Sequence, residues 1–227
     1  MQKSITTLFL LESVDGKIST WMWENRDIDK DLSKILDGIE QYYALEQETD
    51  LVSLNTGFVM KKIWINEKKI FDLDFMTFVI VDNNHLEKKW VENLCVWLKK
   101  LFIITKNKNH PAFESKNKNL EIVYYENEVD FVDLFKKLKE KYKIEKLTIQ
   151  SWWTLNSVLL RKNLIDKISI VIAPILVWWK NTPSLISGKD ILEEKDLQNI
   201  KKLELLKVEK LKKSFLHLEY KVLWKFN

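Results

Sequence analysis

The sequence predicts an α/β fold in which helices cover both faces of a mostly parallel sheet and the last strands are antiparallel. Three observations predict it. Short apolar runs alternate with amphipathic segments along most of the 227-residue chain. Some of these runs, such as "FMTFVIVD", are continuously apolar, as in strands buried on both faces. The last two segments, "LELLKVEKLK" and "SFLHLEYKVL", instead alternate apolar and polar residues, which is typical of antiparallel strands at a sheet edge.

The first half of the chain begins with an apolar segment that predicts a strand. Acidic residues at the start of the next segment, with apolar residues recurring at helical spacing from Leu32 to Tyr43, predict a long helix. In order, the predicted elements are a strand at Ile5–Glu12, a helix from Asp27 to about Glu46, strands at Asp50–Leu54 and Phe75–Asp82, and a helix at Leu86–Leu98.

The second half repeats this alternation of strands and helices. In order, the predicted elements are strands at 100–105 and 120–125, a helix at Asp130–Tyr142, a strand at 146–150, a helix at Thr154–Arg161 and a strand at 167–176. No low-complexity linker or internal repeat interrupts the series. We therefore expect a single domain over residues 1–227.

Polar residues follow three of the predicted strands at the point where each strand ends. They are "NTG" at 55–57, "TK" at 105–106 and "QSWWT" at 150–154. Ligands of parallel sheets bind in the crevice beyond the carboxyl ends of the strands, so these residues are candidates for a binding site. After the first strand, "SVDGKIST" adds a tight turn in which Asp15 and Lys17 flank Gly16.

Composition and charge narrow the function classes. The net charge of +4, from 37 Lys and Arg against 33 Asp and Glu, is too small a bias to indicate a nucleic-acid surface. No apolar run approaches the ~18 residues that span a membrane. The one cysteine, Cys95, cannot form an intrachain disulfide, which suits a reducing compartment. We expect a cytoplasmic protein with neither a nucleic-acid nor a membrane partner.

The chain lacks the usual signatures of metal and hydrolytic chemistry. His85, His110 and His217 are far apart and lack metal-ligand spacing, so no metal site is expected. The serines have no G-x-S-x-G setting, and no zinc-deaminase signature is present. Zinc and serine-hydrolase reactions are therefore disfavoured.

Glycine and tryptophan are present in unusual numbers. An average chain of this length would hold about 16 glycines, whereas this one holds 4 glycines and 10 tryptophans. Two tryptophan doublets, at 152–153 and 178–179, fall in predicted turns, where a small residue is usual. The first doublet lies between a strand and a helix, where a phosphate could be held only if the residues were small. The alternative is that these two aromatic residues pack the end of the helix against the sheet.

Four segments of the chain carry a family resemblance. They are "SVDGKIST", "DLVSLNTGFVMKKI", "LFIITKNKNHPAF" and the long segment from Gln150 to Ile186, which contains "IAPILVWWKNTPSLI". They resemble, in order, the reductase domain of bacterial riboflavin synthesis, which is the C-terminal half of a bifunctional deaminase-reductase. The resemblance implies a three-layer dihydrofolate-reductase-like fold.

The family has glycine-rich turns where this chain has its tryptophan doublets. Trp21 and Trp23 also stand at positions that resemble family glycines. Our hypothesis is that several tryptophans are glycines in the organism, from a gene whose UGA codons mean glycine but were translated as tryptophan. Trp97 lies on an apolar helical face and is expected to be genuine.

The resemblance implies an NADPH-dependent reductase that converts the ribose of a 5-amino-6-ribosylamino-pyrimidine phosphate into a ribityl chain. Asp15 and Lys17 would be catalytic and face the substrate, with Asn55 and Gln150 binding it. A cation at Lys106 would favour NADP over NAD by pairing with the 2′-phosphate. The implied cofactor-binding residues are Thr56, Gly57, Thr105, Lys106, Ser151, Trp152, Trp153, Thr154, Leu155, Trp178 and Trp179.

Two departures from the family leave the substrate open. Many relatives have arginine where this chain has Phe58, and often glutamate where it has Gln150, so charge is removed near the expected phosphate. The deaminase half has no counterpart in the sequence, so a stand-alone reductase is expected. The alternatives are a dihydrofolate-reductase-type pterin reductase, and a non-catalytic scaffold if the tryptophans are genuine. Relatives are often dimers, and the C-terminal strands could pair with a second copy.

Overall fold

A computed structural model of the protein describes residues 3–21, 28–63, 73–188 and 192–224. The chain divides into two compact units. The central unit comprises Met1–Ser4 and Asp50–Trp152, and the terminal unit comprises Ile5–Thr49 and Trp153–Asn227.

The elements alternate along the chain largely as the sequence predicts. The strands are β1 (Ile5–Ser13), β2 (Val52–Thr56), β3 (Leu73–Val81), β4 (Leu98–Thr105), β5 (Leu120–Tyr124), β6 (Lys146–Ile149), β7 (Lys167–Ala173), β8 (Lys202–Lys210) and β9 (Leu216–Leu223). The helices are α1 (Ile28–Leu32), α2 (Glu40–Gln47), α3 (Gly57–Ile63), α4 (Lys88–Trp97), α5 (Phe131–Glu140) and α6 (Trp153–Arg161). Short 3₁₀ turns lie at Pro111–Glu114, Glu194–Asn199 and Lys212–Ser214.

The central unit is built on five parallel strands in the order β5-β4-β3-β2-β6. Helix α4 packs on this sheet through its apolar stripe, with Val91, Leu94 and Cys95 buried in one cluster with Phe78 and Leu101. Trp90 and Trp97 are half-buried against the same cluster. Because all five strands run in one direction, their carboxyl ends lie at a common edge.

The terminal unit combines parallel and antiparallel strands in the order β1-β7-β9-β8. Strands β1 and β7 are parallel, whereas β9 is antiparallel to both β7 and β8. Phe9 of β1 stacks on Tyr42 of α2 with ring centroids 5.3 Å apart, in a core that also holds Leu32 and Phe215. Strand β8 differs from the others because nearly all of its side chains are exposed.

The predicted α/β class is confirmed, with parallel strands and an antiparallel C-terminal pair. The single long helix predicted from Asp27 to about Glu46 is wrong, because α1 ends at Leu32 and α2 begins at Glu40. Between them Gly38 has φ +109°, a conformation that a continuing helix does not allow. Residue 27 and the tryptophan at 23 lie outside the described residues. A single domain over residues 1–227 stays a prediction.

A second difference concerns the predicted turn "NTG". Asn55 and Thr56 are the last residues of β2, and Gly57 begins α3, a helix that the sequence pattern did not predict. The Thr56 hydroxyl accepts a hydrogen bond from the Val59 amide at 3.3 Å and so caps the helix.

Among the described residues, no helix is both long and apolar enough to cross a bilayer.

Candidate active site

The carboxyl edge of the central sheet gathers most of the polar residues that the sequence singled out. We call it the central edge and define it as residues 53–57, 82–86, 105–107 and 150–152, which end or follow β2, β3, β4 and β6. The chain leaves each strand here through polar side chains, so the edge offers hydrogen-bonding groups to a ligand.

Asn55 and Gln150, the two predicted substrate-binding residues, are connected through Ser53. The Asn55 amide nitrogen donates to the Ser53 hydroxyl at 3.0 Å, and that hydroxyl donates to Oε1 of Gln150 at 2.9 Å. The Gln150 backbone amide donates to the Leu54 carbonyl at 2.9 Å. This chain of bonds holds both amides across two neighbouring strands. Ser53, which the sequence analysis missed, is buried within β2, where periodicity marks it only as an interior position.

Asp82 organises the centre of the edge, and the sequence analysis did not identify it as a site residue. Its carboxylate is buried and accepts bonds from the Asn84, His85 and Leu86 amides at 2.9 to 3.3 Å. It also accepts from Nδ1 of His85 at 2.7 Å and Nε2 of His110 at 3.0 Å. Burial alone would raise the pKa of Asp82, but the bonds from His110, Leu86 and His85 outweigh it and lower the pKa to about 2.

The two histidines at Asp82 have defined tautomers. Nδ1 of His110 accepts from the Ala112 amide at 3.1 Å, so its proton is on Nε2, which donates to Asp82. His85 donates from Nδ1 to the same carboxylate, and its side chain is partly exposed. Although they are far apart in sequence, these histidines share one carboxylate. In the described ranges, no group of three or more His, Cys, Asp or Glu residues could hold a metal ion.

Gly57 owes its identity to Asp82. A Cβ atom at Gly57 would lie 2.2 Å from Cγ of Asp82 and 2.3 Å from Oδ1, far inside van der Waals contact. The backbone at the start of α3 therefore approaches the buried carboxylate as only glycine allows. Gly57 was predicted to bind a cofactor, but its contact with Asp82 already explains why this position must be glycine.

Thr105 and Lys106 are tied to the turn after β3 by Asn83. Oδ1 of Asn83 accepts from the Thr105 hydroxyl at 3.1 Å and from the Lys106 amide at 2.9 Å. The Lys106 ammonium pairs with the Glu128 carboxylate, and both side chains are exposed. A polar cavity of about 530 Å³ opens beside them, lined by Asn83, Asn84, Lys106, Asn107, Glu126, Asn127 and Glu128. The cation predicted to meet a phosphate thus has a carboxylate partner.

Ser151 and Trp152 close the other end of the edge. Ser151 is buried. The Trp152 ring meets Phe58 edge-on at 5.8 Å, and Phe58 meets His85 in the same way at 5.6 Å. Aromatic rings therefore cover the part of the edge where the resemblance implies backbone open to a phosphate.

In the terminal unit, the turn after β1 places Asp15 against another loop. The Ser13 hydroxyl donates to Oδ1 of Asp15 at 2.7 Å, and the amides of Val177 and Trp178 each donate to the carboxylate at 2.9 Å. Burial acts to raise the pKa of Asp15, but these three bonds outweigh it and the pKa is lowered. Asp15 is therefore an ionised clamp on residues 177–178.

Lys17 is held at the other end of the same turn. Its ammonium donates to the Thr182 carbonyl at 3.0 Å, and its amide donates to the Ser13 hydroxyl at 2.9 Å. Gly16, between Asp15 and Lys17, has φ +73° and allows the tight reversal. The structure thus brings both predicted catalytic residues into contact with the segment 177–182.

Glu12 is a further candidate that the sequence analysis passed over. It lies next to the end of β1, one residue before Ser13. Burial raises its pKa to about 7, which would let the carboxyl group exchange a proton near neutral pH. The available signal was a single charged residue at the end of the otherwise apolar run "ITTLFLLE".

Residues 153–155 form the first turn of α6. Leu155 is buried and Thr154 is exposed. The indole Nε1 of Trp153 is buried and has no hydrogen-bond partner in the described part of the chain.

Trp178 and Trp179 lie on a large apolar cavity of the terminal unit. The two rings are stacked on each other, 4.8 Å apart, and 73% and 53% of their surfaces are exposed. The cavity has a volume of about 1160 Å³. Its walls are residues 174–181 together with Thr20, Trp21, Asp31, Lys34 and Ile35.

Comparison with known proteins gives a family match over nearly the whole chain. Residues 5–216 match the model of the RibD C-terminal domain. No curated protein matches the sequence at a significant level.

Solved structures share the fold at low identity. RibD from Acinetobacter baumannii has a TM-score of 0.70 at 15% identity, over 97% of this chain and 58% of that one. The riboflavin biosynthesis reductase Rib7 of Saccharomyces cerevisiae has a TM-score of 0.61 at 13% identity, over 97% and 90%. A pyrimidine reductase-like protein from Corynebacterium diphtheriae has a TM-score of 0.64 at 10% identity, over 97% and 92%. This chain thus spans less than two thirds of the length of the Acinetobacter protein.

Proposed function

The chain belongs to the RibD C-terminal domain family, and on that premise we propose that it is an NADPH-dependent reductase acting on a pyrimidine ribosylamine phosphate or a related heterocycle. The observation that carries the proposal is the central edge, where polar side chains at the ends of four parallel strands are held by two hydrogen-bonded groups, one around Ser53 and one around Asn83. We also propose a cytoplasmic location, which suits a chain with a single cysteine and no possible intrachain disulfide.

The adenosine end of a dinucleotide fits the polar cavity beside Lys106. Its side-chain amides can meet a purine or ribose hydroxyls, and the Lys106 ammonium can meet a 2′-phosphate once Glu128 releases it. The pyrophosphate turn fits less well as written, because Trp152 and Trp153 bring indole rings where a phosphate needs close approach to backbone amides. Thr105 and Thr56 would frame the path between them through hydroxyl groups at the strand ends.

The nicotinamide would supply the hydride, and the side chains of the protein would orient the substrate. Asn55 and Gln150 would present their amides to the substrate, each fixed by Ser53. In the terminal unit, Lys17 would contribute a positive charge beside the Thr182 carbonyl, to which its ammonium donates. Asp15 would act by holding the turn at 177–178, since its carboxylate already accepts two backbone amides.

One alternative function and one oligomeric state are each supported by an observation. A non-catalytic scaffold is favoured by the indoles of Trp152, Trp153, Trp178 and Trp179 if these are genuine. A homodimer is favoured by strand β8, whose exposed apolar side chains Leu203, Leu205 and Val208 would be covered by a second copy. Light scattering of the protein, with and without Leu205→Glu, would detect such a dimer.

The test of the function is cofactor binding followed by turnover. We would titrate NADPH into the chain as written and into the quadruple variant with glycine at 152, 153, 178 and 179, following nicotinamide fluorescence. We expect binding in the variant and weaker binding in the chain as written. NADPH oxidation would then be assayed with the ribosylamino-pyrimidine phosphate, with dihydrofolate as the competing substrate. Absence of NADPH binding to both forms would rule out the reductase proposal, and turnover of dihydrofolate alone would establish the pterin alternative.

A further inference from the structure

Trp178 has a backbone conformation that tryptophan rarely adopts. Its φ is +39°, and the Trp179 amide donates to the Val177 carbonyl at 2.5 Å, which makes Trp178 the centre of a three-residue turn. A turn of this size with positive φ at its centre is rare and strained for any residue with a Cβ atom. The other non-glycine residues with positive φ in the described ranges are small, polar or basic: Lys143, Asn163, Lys213 and Ser214. Position 178 therefore has the backbone of a glycine.

Trp178 and Trp179 also gain little from burial. Each ring stacks on the other, yet 73% and 53% of their surfaces remain in solvent. Trp21, on the same cavity, is 55% exposed. A tryptophan stabilises a fold mainly through the aromatic surface that it buries. These three largely exposed rings therefore add little to the stability of the protein.

Trp153 is poorly accommodated for the opposite reason, because its indole N–H is buried. Its indole N–H is shut away from water and meets no acceptor among the described residues, although a buried tryptophan usually finds one. Trp152 occupies the last position of the three-residue link between β6 and α6. A strand that turns into a helix within so few residues commonly needs small side chains.

Trp90 and Trp97 provide the contrast. Both lie on α4 and pack against the buried cluster of the central unit, as tryptophans in a core normally do. Trp90 and Trp97 thus form a packed class, and Trp21, Trp153, Trp178 and Trp179 form a second class. In the second class the ring is largely exposed or, for Trp153, the indole N–H is buried without an acceptor among the described residues. The deficit of glycines points to the residue that the second class replaces, since 4 are present where about 16 are usual.

We propose that positions 21, 152, 153, 178 and 179 are glycine in the natural protein, encoded by UGA codons that the organism reads as glycine. The clamp from Asp15 to the amides of residues 177 and 178 is independent of the side chain at 178, so the turn would persist with glycine there. The apolar cavity would lose three indole walls and become wider.

The test reads the gene and the protein and does not depend on any activity. We would sequence the codons at the ten tryptophan positions and measure, by mass spectrometry, tryptic peptides of the protein isolated from its own cells. Residues 147–161 and 168–180 hold the two doublets, and residues 90–99 hold Trp90 and Trp97 as a matched control. We expect UGA codons and glycine masses in the first two peptides, with UGG codons and tryptophan masses in the control. Tryptophan at 152, 153, 178 or 179 in the native peptides, or a UGG codon at position 21, would overturn the proposal, as would glycine in the control peptide.

Discussion

Nε2 of His110 donates to Oδ2 of Asp82 at 3.0 Å, with both side chains fully removed from solvent. A carboxylate in that setting is costly unless every lone pair is satisfied, and Asp82 is satisfied by two histidines and three backbone amides. The turn after β3 is thereby fixed to the segment that follows β4. The stability of the central edge should depend on this one charge.

Replacing Asp82 by asparagine should therefore destabilise the protein by about 2–4 kcal/mol, because the amide presents a donor to groups that donate already. Urea unfolding would measure the loss. Asp74→Asn, at an exposed position of β3, is the matched control and should change little. In the wild type, the pKa of Asp82 is lowered from 3.8 to about 2, so this stabilisation is present above pH 3.8 and lost as the pH falls toward 2. An equal loss in both variants would contradict the role assigned to Asp82.

Gly57→Ala should cost about 1–3 kcal/mol, because the new methyl group would overlap the Asp82 carboxylate, which cannot move away from its donors. Gly16→Ala is the comparison. A Cβ there meets nothing within 4 Å, so only the positive φ opposes it, at a cost of about 1 kcal/mol. Thermal unfolding of the single variants and of Gly57→Ala with Asp82→Asn would show whether the two costs are coupled. Additive costs would mean that the contact between the two residues is unimportant.

Glu12 should make the protein less stable as the pH rises from 4.5 to about 7. The pKa of Glu12 is raised by burial from 4.5 to about 7, so the folded state holds a proton that the unfolded state has released. Stability is full below pH 4.5 and falls by roughly 3 kcal/mol as the pH reaches 7. Glu12→Gln should remove this fall, whereas Glu87→Gln, at an exposed position, should leave it. Urea midpoints at pH 5 and pH 8 would measure this loss of stability. Parallel pH profiles for wild type and Glu12→Gln would contradict the role assigned to Glu12.

Glu128→Gln should strengthen binding of 2′-phosphorylated ligands, because it frees the Lys106 ammonium. Exposed ion pairs contribute about 0.2–1 kcal/mol, so a gain of roughly 1.5- to 5-fold in affinity is expected. Calorimetry with adenosine 2′,5′-bisphosphate and with AMP would separate the effect on the 2′-phosphate from general charge. Glu126 lines the same cavity, so Glu126→Gln is the control. A gain for both ligands alike would assign the effect to net charge instead of Lys106.

Trp178→Gly should raise the stability of the recombinant chain by about 1 kcal/mol, since it relieves the positive φ and gives up little buried surface. Trp97→Gly should instead lower it by about 3–5 kcal/mol, because that ring packs on the core and glycine also weakens α4. Thermal or urea unfolding of the two variants side by side would measure both changes. Destabilisation of similar size at both positions would indicate that Trp178 is as well accommodated as Trp97.

Local pattern predicted most of the elements, because each strand and helix carries its own periodicity. The break between α1 and α2 was marked only by Asp37 and Gly38, which a long apolar helical pattern overrode. Asn55 and Gln150 could be proposed as neighbours because both end parallel strands. Their shared partner, Ser53, could not be predicted because it is an interior strand residue. The contact of His85 and His110 with Asp82 could not be predicted either, because it forms only after the chain has passed through β4.

Strand β8 has one side without a neighbouring strand in the terminal unit and side chains bare on both faces. Such a strand is a template for uncontrolled addition of other chains. Its sequence, "KLELLKVEK", places a lysine or glutamate at five of nine positions, including both ends. These charges act as gatekeepers, since an incoming strand would have to desolvate or match each of them. Conversely, exchanging them for apolar residues would turn this edge into a nucleus for fibrils.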